Sequence, residues 1–293
     1  SRVFTVTLND GGNVKDAGSS TAALTALITG TITITAAKDA PVVTAGGTLS
    51  YTENGVAAPV QSSLTITDAD DADIAGATVT ISAGRTSGDE LGFSTQNGIT
   101  GSYDAGTGVL TLTGTTTVAN YQTALQSVTY RSTSEDPTSS SSSRTVTWSV
   151  TDANSDGAGA ATSVAVTSTI SLTATNDQPT IAGLNAATFL ENAINAAAAV
   201  LDADVTVTEQ DSADYNGGTL TVSGLAASDT VSLPASATGV AGNVQRSGAD
   251  VQYHDGTAWV VVGSYTGGAG ANLVVTWNSS ATPAIAERVI ENL

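Results

Sequence analysis

Alternating apolar and polar residues recur along most of the chain and predict β-strands. Near the start, apolar and threonine residues alternate over residues 3–8, and a threonine-rich alternation resumes over residues 24–36. A period of two residues is typical of a strand with one buried face, and Thr, Val and Ile favour strands. The Asn-Asp-Gly-Gly sequence at residues 9–12 is typical of a turn. The pattern therefore predicts a hairpin at the beginning of the chain.

The same alternation predicts six strands in the middle of the chain, which are separated by Gly and Asp/Asn clusters typical of antiparallel connections. They are expected at residues 63–67, 77–82, 109–113, 127–131, 145–151 and 163–175. One short helix is expected at residues 118–125, with Thr117 as its N-cap. A matching helix is expected at residues 284–292, opened by Thr282 and Pro283. The chain is thus predicted to be all-β, with one short helix in each sandwich.

Two similar quartets organise the chain as a repeat. Lys-Asp-Ala-Pro at residues 38–41 and Asn-Asp-Gln-Pro at residues 176–179 are 138 residues apart (177 minus 39). Each is followed by Glu-Asn, at Glu53 and Glu191, with the same separation. A fixed period of this kind indicates stacked, self-similar units. The predicted units are a closing hairpin at 1–37, a complete sandwich at 38–176, and a sandwich lacking its last strands at 177–293.

The first hairpin has a counterpart inside the complete repeat. Phe4, Val6 and Leu8 correspond to Val146, Trp148 and Val150 with an offset of 142 (146 minus 4). The first hairpin is not expected to complete the last repeat of its own chain. The five backbone steps from Ala36 to Pro41 reach at most about 18 Å, whereas a complete sandwich separates the hairpin from the last repeat. We therefore expect identical copies to join head to tail, either as separate subunits or as one continuous polypeptide.

Charge and composition narrow the classes of function. The chain has 27 acidic and 8 basic residues, a net charge of −19. Nucleic acid needs a basic surface, so the excess argues against such a partner and favours cations. There is no cysteine, which excludes disulfides and thiolate zinc sites. No apolar run approaches the roughly 18 residues that suggest a membrane-spanning helix.

Acidic residues cluster where strands end and are the candidate ligands of a metal. Four carboxylates within six residues repel one another unless a cation counters them, and Ca²⁺ takes about 6 to 8 oxygen ligands. The first set is Asp39, Glu53, Asp68, Asp70, Asp71 and Asp73; the second is Asp177, Glu191, Asp202, Asp204, Glu209, Asp211 and Asp214. The alternative is a set of solvated acidic loops that bind nothing.

A further candidate is the loop at residues 152–157, whose alternating oxygen donors begin with Asp152. It is similar to the first half of a calcium-binding loop. Its twelfth position is Ser163, which lacks the acid of an EF-hand, so that motif is excluded. The loop is equally well explained as an Asx-rich turn without a metal.

Catalysis and ligand binding are two rival functions. The chain has one histidine, His254, next to a predicted Asp-Gly turn and without a nucleophile motif, so we expect a solvent-exposed side chain and no enzyme activity. A carbohydrate-binding module would present exposed aromatic residues. The positions of Trp148, Trp259 and Trp277 within alternating strands favour core packing instead.

Several motifs resemble the cadherin-like or Ig-like tandem repeats of very large bacterial cell-surface adhesins of the RTX type. They are the Asn-Asp-x-Pro linker, the following Glu-Asn pair, and Thr-Asp-Ala-Asp at residues 67–70. The segments at residues 97–103 and 127–130 are similar to the body of such repeats. The resemblance implies a structural, calcium-stiffened region of an extracellular bacterial adhesin or fibre. The alternative is a carbohydrate- or ligand-binding module of a surface protein.

The resemblance also implies which residues hold calcium near the domain junctions. The ligands are the linker Asp, the Glu of Glu-Asn and the Asp-x-Asp pair. These correspond to Asp39, Glu53, Asp68 and Asp70 in the first copy, and to Asp177 and Glu191 in the second. The second copy has Thr-Glu-Gln-Asp at residues 208–211, which indicates an altered site. Lys38 replaces the usual Asn, so weaker binding is expected at the first junction.

Overall fold

The computed structural model describes residues 2–9, 25–34, 38–155 and 157–293, apart from the side chain of Glu191. Strands make up 43% of the structure and helices 8%, which confirms the all-β prediction. The strands are β1 (Arg2–Asn9), β2 (Thr25–Ile32), β3 (Val42–Thr44), β4 (Thr48–Thr52), β5 (Ala58–Pro59), β6 (Thr65–Thr67), β7 (Asp73–Ala83), β8 (Asp89–Gly92), β9 (Thr100–Asp104), β10 (Val109–Thr117), β11 (Thr129–Ser132), β12 (Ser143–Asp152), β13 (Val166–Thr173), β14 (Thr180–Ala182), β15 (Thr206–Thr208), β16 (Thr219–Val222), β17 (Val244–Ser247), β18 (Asp250–His254), β19 (Trp259–Thr266) and β20 (Leu273–Trp277). The helices are α1 (Val118–Gln126), α2 (Glu191–Ala196) and α3 (Pro283–Ile290).

The first sandwich is built from strands β3 to β13. Its large sheet has the order β4-β13-β12-β7-β10-β9, and a three-stranded sheet has the order β5-β11-β8. All described pairs in the large sheet are antiparallel except β13 with β4, which is parallel. Inward-facing residues of these strands form one apolar core that includes Trp148, as predicted.

The helix α1 covers one side of this core. Thr117 caps it, and the Thr117 hydroxyl accepts a hydrogen bond from the amide of Asn120, as predicted. Tyr121, Ala124 and Leu125 are buried against the sandwich. The second helix expected from the sequence is α3, whose cap Thr282 accepts a hydrogen bond from the amide of Ile285.

The segment after residue 177 repeats two contacts of the first sandwich. The pair β14–β15 matches Ile181 with Val207, as β3–β6 matches Val43 with Ile66. The amide of Ile66 donates to the side chain of Gln122 in α1 at 3.1 Å, and the amide of Val207 donates to Glu287 in α3 at 2.9 Å. A five-stranded sheet has the order β16-β20-β19-β18-β17. The elements from β14 to α3 are called the second unit below.

The expectation of one helix in each unit is wrong for the second unit, which contains α2 as well as α3. The first copy has Gly55 and Pro59 after its Glu-Asn pair and forms the short strand β5 there. The second copy has an alanine-rich run at residues 193–199. Glycine and proline oppose a helix and alanine favours it, which explains the difference.

The expectation that His254 is exposed is also wrong. Its side chain is buried, with 6% of the residue surface exposed, and its ring lies edge-on to that of Trp259, with centroids 5.0 Å apart. His254 Nδ1 accepts a hydrogen bond from the amide of Gly256. The predicted Asp-Gly turn is confirmed, with Gly256 at a φ of 104° in the connection between β18 and β19.

The predicted first hairpin is confirmed as the antiparallel pair β1–β2. Its apolar side chains are exposed: 48% of Phe4, 56% of Val6 and 72% of Leu8 is accessible to solvent. The turn predicted at residues 9–12 lies outside the described residues, except for Asn9 at the end of β1. In the described part of the chain, none of the helices combines the length and the apolar character needed to cross a membrane.

Candidate metal centres

The first acidic group lies in the loop between β6 and β7. Asp68, Asp70 and Asp71 each place a carboxylate oxygen within 4.8 Å of the others. Asp68 Oδ1 accepts hydrogen bonds from the amides of Asp70, at 3.2 Å, and of Asp71, at 2.9 Å. This Asx-type turn folds the loop so that the three carboxylates converge.

Two oxygens of this group are buried without a hydrogen-bond donor, Asp68 Oδ2 and Asp70 Oδ1. An unpaired buried carboxylate oxygen is costly unless a cation or donor satisfies it. Burial, together with the neighbouring charge of Asp70, raises the pKa of Asp68. The donor set consists of hard oxygen atoms only, which suits Ca²⁺ or Mg²⁺.

The second group joins three segments that are distant in sequence. Glu53 follows β4 in the first sandwich, Asp177 lies in the linker after β13, and Asp211 follows β15 in the second unit. One carboxylate oxygen from each lies within 4.8 Å of the others. Glu53 Oε2 accepts the amide of Thr175 at 2.7 Å, which holds it against the linker. A cation here would therefore contact both units and the linker between them.

The local structure explains why Glu and Asn occur together at residues 53 and 54. Asn54 adopts a left-handed conformation with a φ of 58°, which asparagine tolerates better than most residues. The amide of Gly55 closes this turn on the carbonyl of Thr52. The turn ends β4 and leaves Glu53 pointing toward the linker.

Glu53 and Asp211 each have an oxygen that is buried without a donor, Oε1 and Oδ1 respectively. Only 4% of the surface of Glu53 is exposed. Burial is the main cause that raises its pKa, and the charges of Asp211, Asp177 and Glu135 raise it further. The pKa of Asp177 is raised by loss of solvent, by its contact with Glu135 and by the charge of Asp211. The group is thus destabilised by its own charge in the absence of a cation.

The two groups have the same pattern of hydrogen bonds from backbone amides to carboxylates. The amide of Asp39 donates to Asp70 Oδ2 at 3.0 Å, and the amide of Asp177 donates to Asp211 Oδ2. Glu209 Oε1 accepts the amides of Asp211 and Ser212, as Asp68 accepts those of Asp70 and Asp71. The substitution of Asp by Glu in the second copy therefore preserves the turn.

The structure places the predicted ligands differently from the expected sets. Glu53 does not join Asp68 and Asp70; it belongs to the group of the next junction. The sequence could not indicate this, because Glu53 and Asp177 are 124 residues apart (177 minus 53) and meet only in the folded chain. Glu135, which contacts Asn54 and lies near Asp177, was not predicted. No motif surrounds it.

Other predicted ligands lie outside these two groups. Asp39 is exposed and contributes its amide, and Asp73 begins β7. Asp214 accepts a hydrogen bond from the amide of Asn216. Asp204 forms a separate pair with Asp202, which raises the pKa of Asp204. The pKa of Asp202 is lowered first by the hydrogen bond from the amide of Asn185 and then by Asp204. Glu191 begins α2, and its side chain is outside the described part of the chain.

The loop after Asp152 has the Asx-turn geometry that was one of its two predicted interpretations. Asp152 is fully buried, and its carboxylate accepts the amides of Asn154 and Ala161. The amide and hydroxyl of Ser155 donate hydrogen bonds to the carboxylate of Asp71, so the loop holds one member of the first acidic group in place. Lys38 lies against the same loop, where its ammonium donates to the carbonyl of Ala160.

Comparison with known proteins gives one weak match. The chain is 36% identical over 128 residues to halomucin of Haloquadratum walsbyi. The match covers 42% of this chain and 1% of the length of halomucin. Halomucin is a large surface protein of a halophilic archaeon, and the match spans only a small part of its length. No family model matches the chain.

Proposed function

We propose that this chain is a structural repeat segment of an extracellular surface protein, an adhesin or fibre, in which Ca²⁺ stiffens the junctions between β-sandwiches. The observation that carries the proposal is the group of Glu53, Asp177 and Asp211. It combines ligands from two units and their linker and contains two buried oxygens without donors. The net charge of −19 supports a cation as the partner.

Calcium is the preferred ion because the candidate ligands are carboxylates on loops. Ca²⁺ accepts flexible sets of about 6 to 8 oxygens, whereas Mg²⁺ requires near-ideal octahedral geometry. Glu135 and Glu209 lie near the three grouped carboxylates and can add ligands. In the first group, Asp68, Asp70 and Asp71 would bind a second ion.

The proposed segment joins identical copies head to tail. This part of the proposal is supported by the exposed apolar residues of β1–β2 and by the equivalence of that hairpin to β12–β13. The resemblance to adhesin repeats favours a bacterial cell surface, and the match to halomucin favours a prokaryotic surface in general.

A non-catalytic role is also part of the proposal. The ring of His254 is buried, and its Nδ1 accepts a backbone amide, so this nitrogen is not available as a general base. A carbohydrate-binding module has less support. Trp148 and Trp277 are buried, and Trp259 is half-buried against His254.

Thermal unfolding and small-angle X-ray scattering, each in Ca²⁺ and in excess chelator, test the proposal. Calcium is expected to raise Tm and to make the particle longer and less variable in length. A site at ten times its Kd adds about 1.4 kcal/mol to stability. Asp214→Asn, which removes an acid outside both groups, is the matched control and should keep the full calcium response. Unchanged Tm and length in chelator would contradict a structural role for calcium.

A further inference from the structure

The hairpins β12–β13 and β1–β2 are structural counterparts, so the contacts of β12–β13 indicate which surface β1–β2 binds. Arg144 pairs with Ile170 in the first sandwich, and Arg2 pairs with Ile32 in the hairpin. Trp148 pairs with Val166, and Val6 pairs with Ile28. With offsets of 142 for the first strand and 138 for the second, the two hairpins have the same register. They therefore present equivalent side chains on each face.

The two hairpins differ in burial. Val146, Trp148, Val150, Ile170 and Leu172 are buried in the core of the first sandwich. Their counterparts in β1–β2 and just after it are exposed: Phe4, Val6, Leu8, Ile32 and Ile34. Burying apolar side chains of this size stabilises an interface. The exposed face is thus an apolar surface of the kind that marks an interface.

The second unit contains the strand that such a hairpin would pair with. In the first sandwich β12 pairs with β7, whose other edge pairs with β10. The counterpart of β7 is β16, because β16 pairs with β20 just before α3, as β7 pairs with β10 just before α1. Among the described strands, β16 pairs with β20 alone, so its other edge is open.

The core beside this open edge is incompletely covered. Val79 and Ile81 of β7 are buried, whereas their counterparts Leu220 and Val222 are half-buried. Two open, mainly apolar grooves of about 200 and 260 Å³ run beside β16 and share Leu220 as a lining residue. Strand addition at this edge would cover both grooves.

Charge complementarity identifies the occupant. In the first sandwich, Arg144 Nε lies 2.6 Å from Asp89 Oδ2, and both side chains are fully buried. Asp89 Oδ2 also accepts the amide of Thr86 at 2.8 Å, in a tight turn. In the second unit, Asp229 Oδ2 accepts the amide of Ala226 at 2.7 Å in the same kind of turn. Asp229 is therefore the counterpart of Asp89, and Arg2 is the counterpart of Arg144.

We propose that the β1–β2 hairpin of a second copy of this chain adds to the open edge of β16, with Arg2 paired to Asp229. The register of β12 on β7 places Val6 opposite Leu220 and Phe4 opposite Val222. The second strand of the hairpin would lie parallel to residues 186–190, as β13 lies parallel to β4. This inference rests on the head-to-tail arrangement of the proposed function and names its interface.

Cysteine cross-linking tests the register, since the chain has no cysteine of its own. Thr7 and Thr219 correspond to Ser149 and Thr78, which face each other on the solvent side of β12–β7 with hydroxyls 2.7 Å apart. Under mild oxidation, Thr7→Cys with Thr219→Cys in one chain should give a ladder of covalent oligomers. Thr7→Cys with Thr221→Cys, shifted by two residues, is the control and should give at least about fivefold less ladder.

A ladder of equal yield from both double variants, or an intramolecular disulfide in a monomer, would overturn the proposed docking to a second copy. Performing the reaction in both Ca²⁺ and chelator separates this inference from the calcium proposal. If calcium raises Tm but no ladder forms, the hairpin interface is wrong and the calcium proposal stands.

A charge exchange tests the pairing of Arg2 with Asp229, both of which are exposed within one copy. In the cysteine background, Arg2→Asp or Asp229→Arg alone should reduce the ladder at least about tenfold, because each single variant places two like charges opposite each other in the interface. The double variant Arg2→Asp with Asp229→Arg should recover most of it. Equal losses in the single and double variants would contradict the pairing.

Discussion

Arg144 and Asp89 form an ion pair at 2.6 Å inside the first sandwich, with both side chains fully buried. Further hydrogen bonds support the pair: the hydroxyl of Tyr130 donates to Asp89, and Arg144 donates to the hydroxyl of Thr86 and to the carbonyls of Pro137 and Ser141. The pair joins β12 to the start of β8 and fixes the position of the β12–β13 hairpin on the sandwich.

Replacing Asp89 by Asn should destabilise the first sandwich by about 3 to 5 kcal/mol, because the guanidinium of Arg144 loses its buried counterion. Glu90→Gln provides the matched control. Glu90 pairs with Arg131 at 2.6 Å on the surface, and loss of such an exposed pair costs about 0 to 1 kcal/mol. Urea unfolding of both variants measures the difference. Equal losses would contradict the dominant role of the buried pair.

Replacing Glu53 by Gln should stabilise the calcium-free protein and remove the calcium response of the junction. The Glu53 carboxylate is buried beside Asp177 and Asp211, and the neutral amide relieves their repulsion without changing size. Titration calorimetry with Ca²⁺ should show loss of one site, while the site of Asp68, Asp70 and Asp71 remains. Asp73→Asn, which alters an acid outside both groups, should keep both. Two intact sites in Glu53→Gln would exclude Glu53 as a ligand.

The helix caps should each stabilise their own unit. Replacing Thr117 by Ala removes the acceptor for the amide of Asn120 and should cost about 1 kcal/mol. Thr123→Ala is the control in the same helix: its hydroxyl bonds the carbonyl of Ala119, and its loss should cost much less. Chemical unfolding measures both. A larger loss for Thr123→Ala than for Thr117→Ala would contradict the capping role.

The loop of the β18–β19 hairpin should depend on pH through Asp255. Hydrogen bonds from the amide of Ala258 and from the hydroxyl and amide of Thr257 lower the pKa of Asp255 to about 2. Because the folded-state pKa lies below the ordinary 3.8, this stabilisation is complete above pH 3.8 and is lost as pH falls toward 2. The stability difference between wild type and Asp255→Asn should therefore shrink across this range. A difference independent of pH would contradict it.

Features determined by neighbouring residues were predictable from the sequence. The alternation over residues 3–8 predicted β1, and Thr117 and Thr282 predicted the starts of α1 and α3, because capping depends on residues within one turn. The burial of Trp148 followed from strand periodicity in the same way. Local chemistry was therefore sufficient for these elements.

Features determined by contacts between distant segments were not predictable. Glu53 meets Asp177 only because the linker returns past the end of β4, and Glu135 reaches the same place from the loop after β11. The burial of His254 is an exception among these, because the ring of Trp259 that packs against it lies in the same hairpin, a contact that the turn motif did not indicate. The helix α2 was not predicted either, because the expected repeat implied one helix in each unit, whereas the alanine-rich run after the second Glu-Asn pair favours a helix.

The most direct test of the calcium proposal is a crystal structure of the chain grown in CaCl₂, with data collected at a wavelength where calcium scatters anomalously. The proposal predicts an anomalous peak among Glu53, Asp177 and Asp211, about 2.3 to 2.6 Å from their carboxylate oxygens. It also predicts a second peak beside Asp68, Asp70 and Asp71. Well-ordered carboxylates at the junction without an anomalous peak between them would contradict calcium binding there.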